Sequence, residues 1–228
     1  MPRTAAFESG VARYERWFAV HGPAFRAELA ALRAAMPTPG FALEVGVGTG
    51  RFALPLGVAV GLDPAGAMLA TARARGILCA RGVAEALPFR DGCFDHVLVV
   101  TTICFVDDPR AMLAEIRRVL RPGGAAVLGF VDRETALGQF YLANRERSAF
   151  YKEATFYSAA EIAALLVETG FANAEWRQTL AGPIDTVTEH EPVLRGTGQA
   201  AFVAVRARRG DHTDPPNGRP SRPFGGSV

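Results

Sequence analysis

The stretch Leu43-Glu-Val-Gly-Val-Gly-Thr-Gly50 constrains this chain more than any other. Phe41, Ala42, Leu43 and Val45 make an apolar run that reads as a buried strand, and it ends in three glycines at alternate positions, Gly46, Gly48 and Gly50. Glycine there permits positive φ and lets a ligand approach the bare backbone. A second apolar run, Val58-Ala-Val-Gly-Leu62, ends in an acid, Asp63. If the two runs are neighbouring strands, the glycine turn and that carboxylate meet at one sheet edge. This predicts a site for a nucleoside-containing ligand.

The spacing discriminates between nucleosides. A dinucleotide fingerprint is G-x-G-x-x-G, its third glycine packing helix against strand. Here Arg51 stands at that third place, and the pattern is E-x-G-x-G-x-G, with Glu44 two residues before Gly46. S-adenosylmethionine (SAM) has no pyrophosphate and needs no helix N-terminus aimed at one. It presents an ammonium, a carboxylate, a sulfonium and a ribose diol. Charge-assisted hydrogen bonds from ammonium and diol to carboxylates are strong, so Glu44 and Asp63 at strand ends favour SAM.

From Phe41 the chain alternates strand and helix, which predicts a doubly wound, mostly parallel α/β sheet. Strands read at 41–46, 58–63, 77–80, 95–101 and 125–131, as nearly continuous apolar runs suited to a sheet covered on both faces. Helices begin near Pro64 and Pro109. The second carries Met112, Leu113, Ile116, Val119 and Leu120 on one face and stops at Pro122-Gly-Gly124. Residues 1–40 read as one or two helices, with Tyr14, Trp17 and Phe18 on nearby faces and Pro23 as a first helical residue. Residues 133–157 are a polar-aromatic insertion, expected near the acceptor site. Ser158-Ala-Ala-Glu161 is a capping box for a further helix that Gly170 ends. Strand-like runs follow at 174–180 and 199–207, and the proline- and glycine-rich segment 209–228 is expected to be disordered.

Together these motifs resemble the class I SAM-dependent methyltransferases, in particular small bacterial ones similar to ubiquinone/menaquinone C-methyltransferases. LEVGVGTG looks like their first motif and GLDPAGAMLATAR like their second. ARGVAEALPFRDGCFDHVLVVTT resembles their adenine loop and fourth strand, and EIRRVLRPGGAAVLGFVDRE the helix, turn and fifth strand beyond. The match is dense from Phe41 to Arg133 and thinner to Arg208. The resemblance implies a seven-stranded Rossmann-like sheet ending in an antiparallel pair. It also implies an N-terminal helical lid over 1–40 and one methyltransferase domain over 41–208.

The same resemblance assigns cofactor contacts. Glu44 reaches the methionine ammonium, the turn at Gly46, Gly48 and Gly50 cradles the cofactor, and Asp63, followed by Pro64, binds the ribose hydroxyls. Met68 packs on the adenine side, and Tyr14 touches the cofactor from the lid. Val83 stands where the family usually has an aspartate for the adenine amino group, which leaves that task to backbone groups around Ala84 and Glu85. Thr101 and Thr102 close the fourth strand at the carboxyl edge, where ligands bind in open α/β sheets. Their carbonyls suit the methionine end, and Ile103, Cys104 and Phe105 suit the border of the acceptor. Asp108 before Pro109 reads as an N-cap. No general base stands out, His21 and His190 being candidates only by position.

Composition excludes more than it selects. A net charge of +2 argues against a polyanionic partner. The cysteines Cys79, Cys93 and Cys104 have no metal spacing, the first and last reading as buried small hydrophobes. No apolar run is long enough for a membrane span and MPRTAAFESG has no signal core, so a cytoplasmic location is expected. The expected activity is methyl transfer from SAM to a small-molecule acceptor. A SAM-binding protein without turnover and a nicotinamide-dependent oxidoreductase are the alternatives.

Overall fold

The structure is a computed structural model that describes residues 4–37 and 40–210. Its centre is a sheet of eight strands: β1 (Ala42–Val45), β2 (Val60–Asp63), β3 (Leu78–Arg81), β4 (Phe94–Val100), β5 (Leu120–Val131), β6 (Phe171–Thr179), β7 (Leu194–Arg195) and β8 (Phe202–Arg209). Their spatial order is β3-β2-β1-β4-β5-β8-β6-β7. The first five are parallel, and β8 inserts antiparallel between β5 and β6. The two-residue β7 adds an edge that the sequence did not announce.

Among the described residues seven α-helices surround the sheet: α1 (Ala5–Ser9), α2 (Val11–Val20), α3 (Gly22–Ala35), α4 (Gly66–Ala74), α5 (Pro109–Val119), α6 (Ala136–Ala143) and α7 (Ala159–Glu168). The sheet divides the core in two. Leu43 and Val45 of β1 pack with Met112, Leu113 and Ile116 of α5 and with Ile162 and Leu166 of α7. Ala42 packs on the other side, with Leu32 of α3 and Leu69 and Ala72 of α4. Strand side chains alternate between faces, so Glu44 shares the face of Ala42, beneath α3 and α4. Each fully buried leucine contributes roughly 1.5–3 kcal/mol by leaving water, and these contacts hold the strand ends in register.

Several boundaries move for local reasons. The helix that opens at Pro109 ends at Val119, and Leu120 already pairs with Phe94; a register shift between Phe94 and His96 absorbs the Pro-Gly-Gly turn into β5. The described residues among the first forty form three helices, not one or two. Asp108 caps α5, accepting from the Arg110 and Ala111 amides, and Ser158 with Glu161 forms the expected capping box. Cys104 is buried, but Cys79 is only half-buried, on the outermost strand of its edge. Of the segment 209–228, Arg209 closes β8 and Gly210 follows it, while 211–228 lies outside the described residues, as does His212. Among the described residues no helix is long and apolar enough to cross a membrane.

Candidate functional site

A cavity of about 1070 Å³ opens at the carboxyl ends of β1, β2, β4 and β5. Tyr14, Gly46, Gly48, Asp63, Pro64, Met68, Ala84, Glu85 and Thr101 all lie on its wall, so sequence-distant candidates converge on one space. Glu44 and Gly50 stand outside that wall. Glu44 lies below it, buried in the sheet. A Cβ on Gly50 would come within 2.3 Å of the Ile77 side chain, so Gly50 serves close packing under α4.

The glycine turn needs its glycines. Gly46 and Gly48 have φ of +74° and +52°, in the left-handed region. A Cβ on Gly46 would overlap the Thr102 side chain, and one on Gly48 would point at the Tyr14 hydroxyl 3.3 Å away. The turn is pinned by Asp63, whose Oδ2 accepts from the Gly48 amide at 2.9 Å while Oδ1 accepts from the Ala65 amide at 2.8 Å. Asp63 therefore joins the two loops that border the cavity. The first amides of α4 are taken instead by Glu8 of α1, which accepts from Gly66 and Ala67 at 2.8 and 2.9 Å. A cap supplied from so far away in sequence has no local signal.

The acids here are held out of water. Burial pushes the Glu44 carboxyl well above the usual range, a backbone hydrogen bond from Ala53 offsetting part of this, and Glu44 Oε2 has no hydrogen-bond partner among the described residues. Burial likewise raises Asp63, against the two backbone hydrogen bonds that lower it. Burial also raises the Tyr14 hydroxyl, with Glu44 and Asp63 adding to the effect. Tyr14 thus lies within electrostatic reach of both acids. The bare glycine turn fits the amino-acid end of SAM and Asp63 at the rim fits its diol, while the orphaned Glu44 oxygen lies buried beneath the turn, outside the cavity wall.

Thr101 also takes a left-handed backbone, with φ of +47°, held by its amide donating to Gly129 at 2.7 Å. The Cys104 thiol donates to the Thr101 carbonyl at 3.3 Å. Of the three residues expected at the acceptor border, Phe105 reaches the cavity, whereas Ile103 and Cys104 turn into the core. The Glu85 carboxylate accepts from the Asp107 and Asp108 amides and so ties the loop after β3 to the loop before α5. Val83 lines the cavity beside Ala84. His21 also reaches the wall, its Nδ1 3.9 Å from Asp185 Oδ1. His190 is exposed and away from the cavity.

The far side of the cavity is aromatic. Phe7 meets Phe105 and Phe150 with ring centroids 5.1 and 5.2 Å apart, Tyr151 stacks on Phe105 at 5.9 Å, and Tyr141 meets Tyr151 at 5.5 Å. These rings come from α1, from the loop after β4 and from the 133–157 insertion. Glu28 of α3 reaches the same space. Sequence reasoning passed over Glu28, although it interrupts an otherwise small apolar stripe of Ala24, Ala31 and Ala35 at helical spacing.

Residues 43–128 match a family described as "Methyltransferase domain". The chain is 38% identical to an uncharacterised protein of Methanocaldococcus jannaschii over 89% of this chain and 98% of that one. It is 30% identical to a malonyl-[acyl-carrier protein] O-methyltransferase of Geobacter sulfurreducens over 90% and 84% of the two chains. A crystal structure from Thermotoga maritima superposes with a TM-score of 0.88 at 45% identity, covering 90% of this chain and 99% of the other. It is described as a SAM-dependent methyltransferase, possible histamine N-methyltransferase. The chain belongs to the class I SAM-dependent methyltransferases. Its cofactor is SAM, and the nicotinamide reading falls away. The finer likeness to quinone C-methyltransferases is not what these relatives are named for. As a methyltransferase it has the expected mostly parallel sheet with β8 and β6 as its antiparallel pair, and β7 as an eighth strand beyond them.

Proposed function

We propose that this methyltransferase moves the methyl group of SAM to a small, partly apolar molecule held between the lid helices and the aromatic insertion. One observation carries the reading: a single cavity of about 1070 Å³ runs from the glycine turn and Asp63 to the rings of Phe105, Tyr141 and Tyr151. That exceeds what a drug-sized ligand needs, and leaves room for an acceptor beside the cofactor. The wall is closed by Phe7, Tyr14 and Trp17 from the N-terminal helices, which favours a compact acceptor over a polymer.

SAM supplies an electrophilic methyl on a sulfonium; this chain's residues supply placement. In the proposed arrangement Glu44 and the turn at Gly46 and Gly48 hold the amino-acid end, and Asp63 beside Pro64 holds the ribose. Met68, Ala84 and Glu85 border the base, and Thr101 and Tyr14 flank the reacting end. Fixing donor and acceptor in line removes much of the entropic barrier, and a packed aromatic wall keeps water off the sulfonium.

The named relatives differ in acceptor, one an O-methyltransferase of a carrier protein and one a possible N-methyltransferase of histamine. An acceptor screen with methyl-labelled SAM separates these. Histamine, arylalkyl amines, phenols, thiols, malonyl-loaded carrier protein and total RNA are offered in parallel. We expect label in small-molecule fractions alone. Label confined to protein or RNA would overturn the small-acceptor reading.

A further inference from the structure

Glu28 is a carboxylic acid buried to 5% exposure on the inner face of α3. It makes no hydrogen bond or ion pair with any described residue, yet it lies on the cavity wall. Surface glutamates on the same chain are paired: Glu8 with Arg81, Glu168 with Arg110, Glu189 with Arg26. An unpaired buried carboxyl is costly, and its charged form more so. Arg13 and Arg147 line the same cavity, but burial is the sole cause of the raised Glu28 pKa, with no contribution from either guanidinium. Tyr14 from α2, Tyr141 from α6 and Tyr151 from the insertion all feel its charge, and His21 and Asp185 line the same cavity. These last groups, except His21, are neutral or acidic. His21 has its own acidic neighbour in Asp185.

We infer that Glu28 is the acceptor-facing carboxylate of this enzyme, pairing with the ammonium of a small amine and taking a proton from it before methyl transfer. This assignment rests on the methyl-transfer reading above and names its acceptor class. Two features of the site meet an arylalkyl ammonium at once. The carboxylate supplies a counter-charge, and the rings of Tyr141, Tyr151 and Trp17 supply faces to which cations are attracted.

The chemistry balances. An ammonium has no lone pair, so its nitrogen cannot attack until it loses a proton. Glu28 takes that proton and becomes a neutral carboxylic acid, the less costly form in a buried site. The freed nitrogen lone pair forms the new N–C bond as the S–CH3 bond breaks, and the S–C electron pair stays on sulfur in the demethylated product (SAH). The methylated nitrogen carries the positive charge that the sulfonium lost, and the Glu28 proton returns to solvent when the product leaves. Burial alone pushes the Glu28 carboxyl up to about 8, close to working pH, where a group exchanges protons most usefully.

The experiment compares wild type with Glu28→Gln, and with Glu28→Leu as an apolar stand-in should the amide misfold. SAH-loaded protein is titrated calorimetrically with 2-phenylethylamine and tryptamine and with their matched alcohols, 2-phenylethanol and tryptophol. We expect wild type to prefer the amines by roughly tenfold or more, as a charge-assisted pair requires. The variant should lose that preference while keeping SAH affinity within about twofold, since Glu28 lies outside the cofactor's turn. In turnover, kcat/KM for the amine should fall about a hundredfold, the usual scale of a proton-transfer residue, and its rise towards pH 8 should vanish.

Equal affinity for amine and alcohol, failure of every amine to bind, or a preference that survives in the variant would each overturn the assignment. Failure of wild type to bind SAH would sink the methyltransferase reading, and Glu28's role with it.

Discussion

Glu28, Glu44 and Asp63 are all carboxyls whose burial favours the protonated form. For Glu28 the folded value is about 8 against an ordinary 4.5. The unfolded chain therefore gives up its proton first as pH rises. Stability from this group is fully present below about pH 4.5 and is lost progressively towards pH 8. Urea unfolding of the ligand-free protein should show falling stability across that window, with a shallower fall in Glu28→Gln. An identical slope in the two proteins would contradict the burial argument. At Gly48 an alanine would force an L-residue into φ of +52° beside the Tyr14 hydroxyl. We expect Gly48→Ala to cost about 1–2 kcal/mol and to weaken SAM binding, both read from denaturation and titration of one sample. Residue by residue, legibility was uneven. The turn glycines and Asp63 carry a local pattern, since their backbone role dictates their type. Glu28 carries none, because its neighbours Tyr14, Tyr141 and Tyr151 arrive from other parts of the chain.

Among elements, α2 is fastened to the glycine loop by one acid. Glu15 accepts from Thr49 Oγ1 at 2.6 Å, from Arg75 Nη2 at 2.7 Å and from Arg51. Burial opposes its ionisation, but hydrogen bonds from Arg75, Arg51 and Thr49 prevail and hold the carboxyl at about 2. Its stabilisation is thus present above about pH 4.5 and fades as pH falls towards 2. Glu15→Gln leaves two partly buried arginines without their anion, and should destabilise by on the order of 1–3 kcal/mol. A change under a few tenths in chemical denaturation at neutral pH would show the latch to be ornamental. The latch also explains the departure from the dinucleotide pattern. Arg51 occupies the third-glycine place because there it ties to Glu15 and lies over the Phe18 ring at 5.2 Å. At the other end of the domain, Ser158→Ala removes a cap bond to the Glu161 amide and should lower stability by about 1 kcal/mol, measured by thermal unfolding. The capping box was readable because its two members lie three residues apart. The Glu8 cap of α4 was not, since donor and acceptor come from different helices.

Across the whole molecule, the alternation of apolar runs with helices gave the order β1 to β5, and the glycine turn gave the edge at which the cavity forms. Parallel strands buried on both faces leave continuous apolar runs, which is why they were legible. The edge strand Leu194–Arg195 is too short for any pattern. The shape of the cavity was harder to read: the sequence placed a lid over 1–40 and an aromatic insertion at 133–157, but which rings of α1, α2, α3 and the insertion meet over the strand ends depends on contacts between segments distant in sequence. What unifies the three scales is a set of buried acids in and beneath one cavity, Glu28, Glu44 and Asp63, that form no ion pair with any described residue. The most direct test is calorimetric titration of SAM and SAH into wild type and Asp63→Ala. The account requires binding of both ligands by wild type and a loss of roughly 1 kcal/mol or more in the variant, the worth of a hydrogen bond to a charged group. Equal affinity in the two proteins, or no binding of either ligand, would contradict it.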